Sequence, residues 1–200
     1  MDDCEALVKS LAITPFKTCN IMGTWQRLSV TDAFKQYANI DLESVLYDIE
    51  SFKAVAGVRT TETDNWDDIF HAIMAEKIEP NLGQGVPTIL HDYPVCMASL
   101  ARKSFDPRFA ERFELYICGV ELANAYSELT DAKEQRARME ADMAQKKALY
   151  GINAIIDEDF LNALEYGMPQ SSGCAFGIDR LIMLATNAET IDEVLWTTKP

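Results

Sequence analysis

Apolar residues recur along this chain at two spacings, and the switches between them mark out its elements. Cys4, Leu7, Val8 and Leu11 fall on one face of a 3.6-residue period and predict a short helix over residues 3–12. The stretch 13–24, with Pro15 and Gly23, reads as a connection. WQRLSV is a short strand, after which Ser29 or Thr31 can cap a helix carrying Ala33, Phe34 and Tyr37. Residues 41–56 read as helical. Asn65 can cap the clearest amphipathic run, in which Trp66, Ile69, Phe70, Ile73, Met74 and Ile78 form one core-facing stripe. EPNLGQGVP breaks that period, and PTILHDYP is strand-like with a proline stop.

From residue 110 the pattern sharpens. AERFELYICGVELANAYSELTD predicts two strands around Cys118–Gly119, since glycine fits the positive φ of a two-residue hairpin loop. Thr130 or Asp131 starts a long, charged, solvated helix that runs to about Tyr150 and stops at Gly151. DEDFLNALEYG is another short helix with a glycine stop. In SGCAFGIDRLIML a strand over 172–176 passes into a helix with Ile178, Leu181, Ile182 and Ala185 on its buried side.

Composition narrows the picture. At 200 residues and 48% apolar, the chain can bury one core and is expected to form one domain. The net charge of −14 repels a phosphate backbone, which argues against autonomous nucleic-acid binding. Five scattered cysteines without a CxxC pair, and two histidines, suit reduced thiols rather than a disulfide scaffold or a zinc site; all five are expected in or near the core. No run approaches the ~18 apolar residues of a membrane span, and MDDCEALVKS is unlike a signal peptide, so a soluble, cytoplasmic protein with no membrane partner is expected.

The hairpin carries the candidate chemistry. With a loop at Cys118–Gly119, residue 116 faces 121 and residue 114 faces 123, which makes Glu114 and Glu121 diagonal neighbours on one face. Such a pair is either a solvated face or a shared Mg²⁺ site, since this hard cation takes carboxylate and phosphate oxygens together. Asn124, Tyr126 and Glu128 form a second polar set. An amide, an aromatic ring and a carboxylate together can grip an ammonium-bearing side chain. Strict alternation puts that set on the opposite face from Glu121, so a common pocket requires a bulge near Leu122 or Ala123. Arg180 taken alone is either a surface arginine on an amphipathic helix or a ligand contact.

ERFELYICGVELANAYSELTDAKEQRARME, followed by GMPQSSGCAFGIDRLIML, resembles the C-terminal part of the catalytic core of class II lysyl-tRNA synthetases and, more closely, of their short paralogues, the elongation factor P lysyltransferases. The likeness extends to KIEPNLGQGVPTILHDYP and weakens before residue 75. It implies an α+β fold, a mostly antiparallel sheet flanked by helices. It makes Gly177, Asp179 and Arg180 the third class II motif, with Arg180 the catalytic cation, stacking on adenine while facing phosphate as a planar guanidinium can. Glu114 and Glu121 become the Mg²⁺–ATP ligands, and Asn124, Tyr126 and Glu128 the contacts to lysine or β-lysine. Gly173 comes to lie under the substrate, where a side chain would intrude.

Ala175 stands where the synthetases usually carry glycine and the lysyltransferases alanine. Its methyl, worth about 1 kcal/mol in a hydrophobic pocket, favours β-lysine. Motif 1, which builds the dimer interface, and motif 2, whose arginine clamps the α-phosphate, find no counterpart, and residues 1–12 resemble the helix after motif 2. The resemblance therefore implies one partial catalytic domain over 1–200, with a helix and connection at 1–24 and the active-site hairpin and third motif at 110–184. The sheet edge is expected to be unpaired.

Three functions stand as expectations. One is the C-terminal portion of an ATP- and Mg²⁺-dependent ligase that carries lysine or β-lysine to elongation factor P, homodimeric at full length. Another is a truncated, non-catalytic paralogue that binds nucleotide or a partner. The last is part of a lysyl-tRNA synthetase that charges tRNA.

Overall fold

The computed structural model describes residues 1–11, 16 and 18–197; residue 12, at the end of the helix expected over 3–12, and residues 13–15 and 17, in the connection expected at 13–24, lie outside them. Helix α1 (Asp2–Leu11) buries Cys4 and Val8, while Leu7 and Leu11, expected on the same buried side, are exposed. Strand β1 (Gln26–Ser29) runs straight into α2 (Val30–Ala33) because Ser29, with extended backbone, accepts the Asp32 N–H on its hydroxyl. A π turn over Phe34–Ala38 comes next. The stretch 41–56 is two short helices, α3 (Leu42–Val45) and α4 (Ile49–Val55), rather than one. Asp48 breaks it: its backbone is extended and its carboxylate accepts the Ser51 N–H, which starts α4 afresh. Helix α5 (Trp66–Ile73) begins at Asn65 in a reciprocal cap with Asp68, and a π turn over Met74–Ile78 continues it, so the predicted apolar stripe stays largely buried.

The remaining elements are β2 (Thr88–Pro94), β3 (Phe109–Ile117), β4 (Val120–Ser127), α6 (Ala132–Tyr150), α7 (Glu158–Gly167), β5 (Ser172–Phe176) and α8 (Ile178–Thr186). The five strands lie in sequence order in one sheet. β1 pairs with β2 in parallel, and every later neighbour pairs antiparallel. This is the expected α+β architecture. Asp131 caps α6 through the N–H groups of Lys133 and Glu134, and Gly151, at φ 67°, ends it.

Side chains alternate between two cores. On one face Leu28, Leu90, Tyr93 and Tyr116 meet Phe34, Phe52 and Phe70. Phe34 and Phe70 stack there with ring centroids 5.0 Å apart. On the other face Ile89, Leu115, Ile117 and Leu122 meet Val8, Trp25 and Leu181. Gly83 clasps the sheet: at φ +68° an added Cβ would stand 2.7 Å from the Tyr116 carbonyl, and its own carbonyl accepts the Cys118 N–H at 2.8 Å.

Two further expectations need correction. On α8 only Leu181 is fully buried; Leu184 and Ala185 are partly so, and Ile178 and Ile182 are exposed. The helix packs on the sheet along one narrow line, and β5 ends the sheet with no strand beyond it among the described residues. The five cysteines also divide: Cys4 and Cys19 are buried, Cys118 half-buried, and Cys96 and Cys174 exposed. Cys174 sits on the edge strand and Cys96 on a single turn, Val95–Met97, where neighbours on one side are lacking. Among the described residues no helix is long and apolar enough to cross a membrane.

Candidate active site

The site is built by a miscount in the hairpin. Cys118 and Gly119 both take positive φ, 54° and 76°, as a tight two-residue turn requires. Tyr116 then faces Glu121, but Leu115 faces Ala123, so Leu122 is an extra residue bulged from β4. Glu114 consequently faces Asn124 and not Ala123, as strict counting had it. The bulge falls where a common pocket demanded one. Asn124 now hydrogen-bonds Glu114, and Tyr126 lies opposite Arg112, on the same face as Tyr116 and Glu121.

The same bulge anchors the third motif. The Leu122 carbonyl accepts the Gly177 N–H at 2.7 Å, and the Glu121 carbonyl accepts from Arg180 Nη1 at 2.8 Å. Two consecutive peptide oxygens thus hold the start of α8 against β4. Across the last strand pair Ala175 faces Asn124 and Gly173 faces Tyr126. The nearest demand on Gly173 comes from within the chain, because an added Cβ would stand 2.3 Å from Glu128 Oε1.

Six of the ten expected residues, Glu121, Asn124, Ala175, Gly177, Asp179 and Arg180, line one cavity of about 400 Å³. Tyr126 and Gly173 line a separate cavity of about 420 Å³, which shares no lining residue with the first and reaches Cys4 of α1. Glu114 and Glu128 line neither; Glu114 is buried beneath Asn124 and Tyr116. A further hollow shares Glu121 and Arg180 and is walled by Glu79 and Tyr116. Glu79 was missed by sequence reasoning. It stands in KIEPNLGQGVP, where only the resemblance singled out the segment and no period pointed at the carboxylate.

Charge is unevenly compensated. Glu114 Oε1 accepts from Arg112 Nη2 at 2.7 Å and from Asn124 Nδ2 at 3.1 Å, and Oε2 accepts from the Tyr116 hydroxyl at 2.7 Å. Burial, then the Glu114 charge, push the Tyr116 hydroxyl well above its ordinary range. Glu121 has Arg180 Nη1 only at 3.9 Å from its carboxylate. Its carboxyl is raised above the usual range by burial first, then by Glu114, with Arg180 offsetting part and Glu79 adding to it. Glu79 is raised likewise, by burial and then by Glu114.

A cation carried in on a polyphosphate would relieve this excess. Among the described residues no three His, Cys, Asp or Glu side chains form a ready-made metal site. Mg²⁺ bound to phosphates, however, needs only one or two protein carboxylates. Glu121 fits that role with unengaged oxygens beside the cavity, and Glu114 retains a lone pair on Oε2.

A mostly antiparallel sheet that gathers carboxylates, an amide and a helix-borne arginine around one cavity has the layout of a class II synthetase catalytic domain. Over residues 1–199 the chain matches the tRNA synthetases class II (D, K and N), and it belongs to that family. It is 38% identical over 209 residues to a lysine–tRNA ligase of Pelotomaculum thermopropionicum, covering 98% of this chain and 41% of that protein. To a lysine–tRNA ligase of Dehalococcoides mccartyi it is 40% identical, with the same coverages. The elongation factor P–(R)-beta-lysine ligase of Proteus mirabilis is 45% identical over 177 residues, 85% of this chain and 54% of that protein. The chain thus spans about two fifths of the lysine–tRNA ligases and about half of the elongation factor P ligase. These relatives are ligases that act with lysine or beta-lysine.

Proposed function

We propose that this chain supplies the nucleotide- and lysine-holding part of an ATP-dependent ligase, which activates lysine or β-lysine as an adenylate and passes it to a lysine of elongation factor P. The observation that carries this reading is the single cavity in which Glu121, Asn124, Ala175 and Arg180 meet. In the first step the amino-acid carboxylate attacks the α-phosphorus of ATP and pyrophosphate leaves. In the second the acceptor amine attacks the adenylate carbonyl and AMP leaves. Arg180, half exposed and fixed to the Glu121 carbonyl, can offer a guanidinium face to adenine and its free N–H groups to phosphate. Asn124, Tyr126 and Glu128 receive the substrate's amines by hydrogen bond, ring face and charge. Mg²⁺, held by Glu121 with help from Glu114, would neutralise the phosphates. Gly177 and Asp179 line the nucleotide side, and Gly173 leaves room for Glu128.

Ala175, at the strand position facing Asn124, adds a methyl at the amino-acid end of the cavity and so favours β-lysine, the amino acid named for the elongation factor P ligase. Transfer to tRNA is the second reading, favoured by the near-complete coverage of this chain by lysine–tRNA ligases. The test is amino-acid-dependent ATP–pyrophosphate exchange with α-lysine and β-lysine, on the chain alone and with a separately expressed N-terminal portion of a close relative. Exchange in either case, lost in Glu121→Ala or Arg180→Ala, is expected. Absence of exchange from a folded, associated mixture would leave a nucleotide-binding, non-catalytic domain. Acceptor identity is read by presenting elongation factor P and lysine tRNA to the active form.

A further inference from the structure

Arg112, which lines the cavity of Tyr126 and Gly173 but not that of Glu121, Asn124 and Arg180, is a cation that the proposed reaction does not use. The Arg112 side chain is only 15% exposed, and all three of its guanidinium nitrogens are committed. Nε donates to Asn124 Oδ1 at 3.3 Å, Nη1 to the Met97 carbonyl at 2.6 Å and Nη2 to Glu114 Oε1 at 2.7 Å. The Tyr93 ring covers one face, its centroid 4.4 Å from the guanidinium carbon. Few donors are left for a substrate. What Arg112 does instead is decide how Asn124 presents its amide.

Asn124 Oδ1 is drawn to the guanidinium and Nδ2 to the Glu114 carboxylate. Turning the amide over would set an N–H against a cation and an oxygen against an anion, so one orientation is enforced electrostatically. One N–H and one lone pair of Asn124 remain for a ligand. They sit beside Ala175, at the amino-acid end of the cavity. A lysine at 112 would keep the charge but lose the planar fork that reaches three targets on three elements.

We infer that Arg112 is a positioning residue of this site: it neutralises Glu114 and locks the Asn124 amide towards the amino acid without touching the substrate. This rests on the lysine-activating function proposed for the chain. The test compares Arg112→Lys and Arg112→Gln with the wild type in lysine-dependent exchange, using the exchange-competent preparation, and tracks the Asn124 side-chain amide by ¹⁵N NMR in the chain without substrate.

The KM for lysine is expected to rise about tenfold or more in both variants, and that for ATP, which Glu114 also serves, by a clearly smaller factor. The two Asn124 amide protons are expected to shift and to exchange faster with water, and free guanidinium added to Arg112→Ala should partly restore the lysine KM. An unchanged lysine KM, equal losses for lysine and ATP, or an unmoved Asn124 signal would overturn the inference. So would unfolding of both variants, which would make Arg112 a structural residue. Should the wild type show no lysine-dependent exchange, the functional reading fails separately, and the Asn124 signal still decides the positioning claim.

Discussion

Glu121 is the least settled carboxylate at the site, and it makes a clear pH prediction. Burial and the neighbouring Glu114 raise its folded pKa, so the folded chain holds this proton more tightly than the unfolded chain does. Stability contributed here is therefore greatest in acid and declines as pH rises through the raised value. Glu121→Gln removes that cost. Its melting temperature should exceed the wild type's at pH 7 and match it near pH 4, by calorimetry at both. With 40% of the side chain open to water, the gain is held below about 1 kcal/mol. Gly173 gives a second residue-scale test. Gly173→Ala drives a methyl onto the tip of the Glu128 side chain, which can swing aside, so the cost should stay below about 1 kcal/mol. In a Glu128→Ala background most of that penalty should vanish, which denaturant melts of the four proteins in the cycle would show.

At the scale of elements, local signals read correctly where the chain decides its structure locally. Ser29, Asn65, Asp131 and Gly151 each end or begin a helix at or beside the place their chemistry predicts. Asn65→Ala should lose about 1 kcal/mol of stability with little change in denaturant m-value, since it removes one side of a reciprocal cap. Period alone failed where tertiary context intervenes. It could not see that Asp48 would restart the 41–56 helix, or that α8 would meet the sheet along one line and leave Ile178 exposed. The hairpin lies between these cases. Its turn was legible in Cys118–Gly119, and the need for a bulge came from where the polar residues fall. Its seat at Leu122 was fixed only by pairing with β3.

For the whole molecule, sequence showed the class of fold and most of the cavity wall but not Glu79. That residue reaches the site because β2 lies beside β3, which brings its preceding turn against Tyr116. The chain carries 32 acidic against 18 basic residues, and several of its ion pairs lie at the surface. Screening the net repulsion should outweigh screening those weak pairs, so the melting temperature is expected to rise between low ionic strength and about 0.5 M salt. A fall would mean that the surface pairs dominate. The two peptide oxygens at Glu121 and Leu122 carry a broader consequence, for they attach α8 to the hairpin by position in a count rather than by shape. In a scan of single-residue deletions, loss of Leu122 should leave the rest of β4 facing the same partners, because the residue removed is the one outside the ladder, yet it takes away the carbonyl that receives Gly177 and should loosen the third motif. Removal of one residue from the middle of solvated α6 should merely rotate the last turns of that helix.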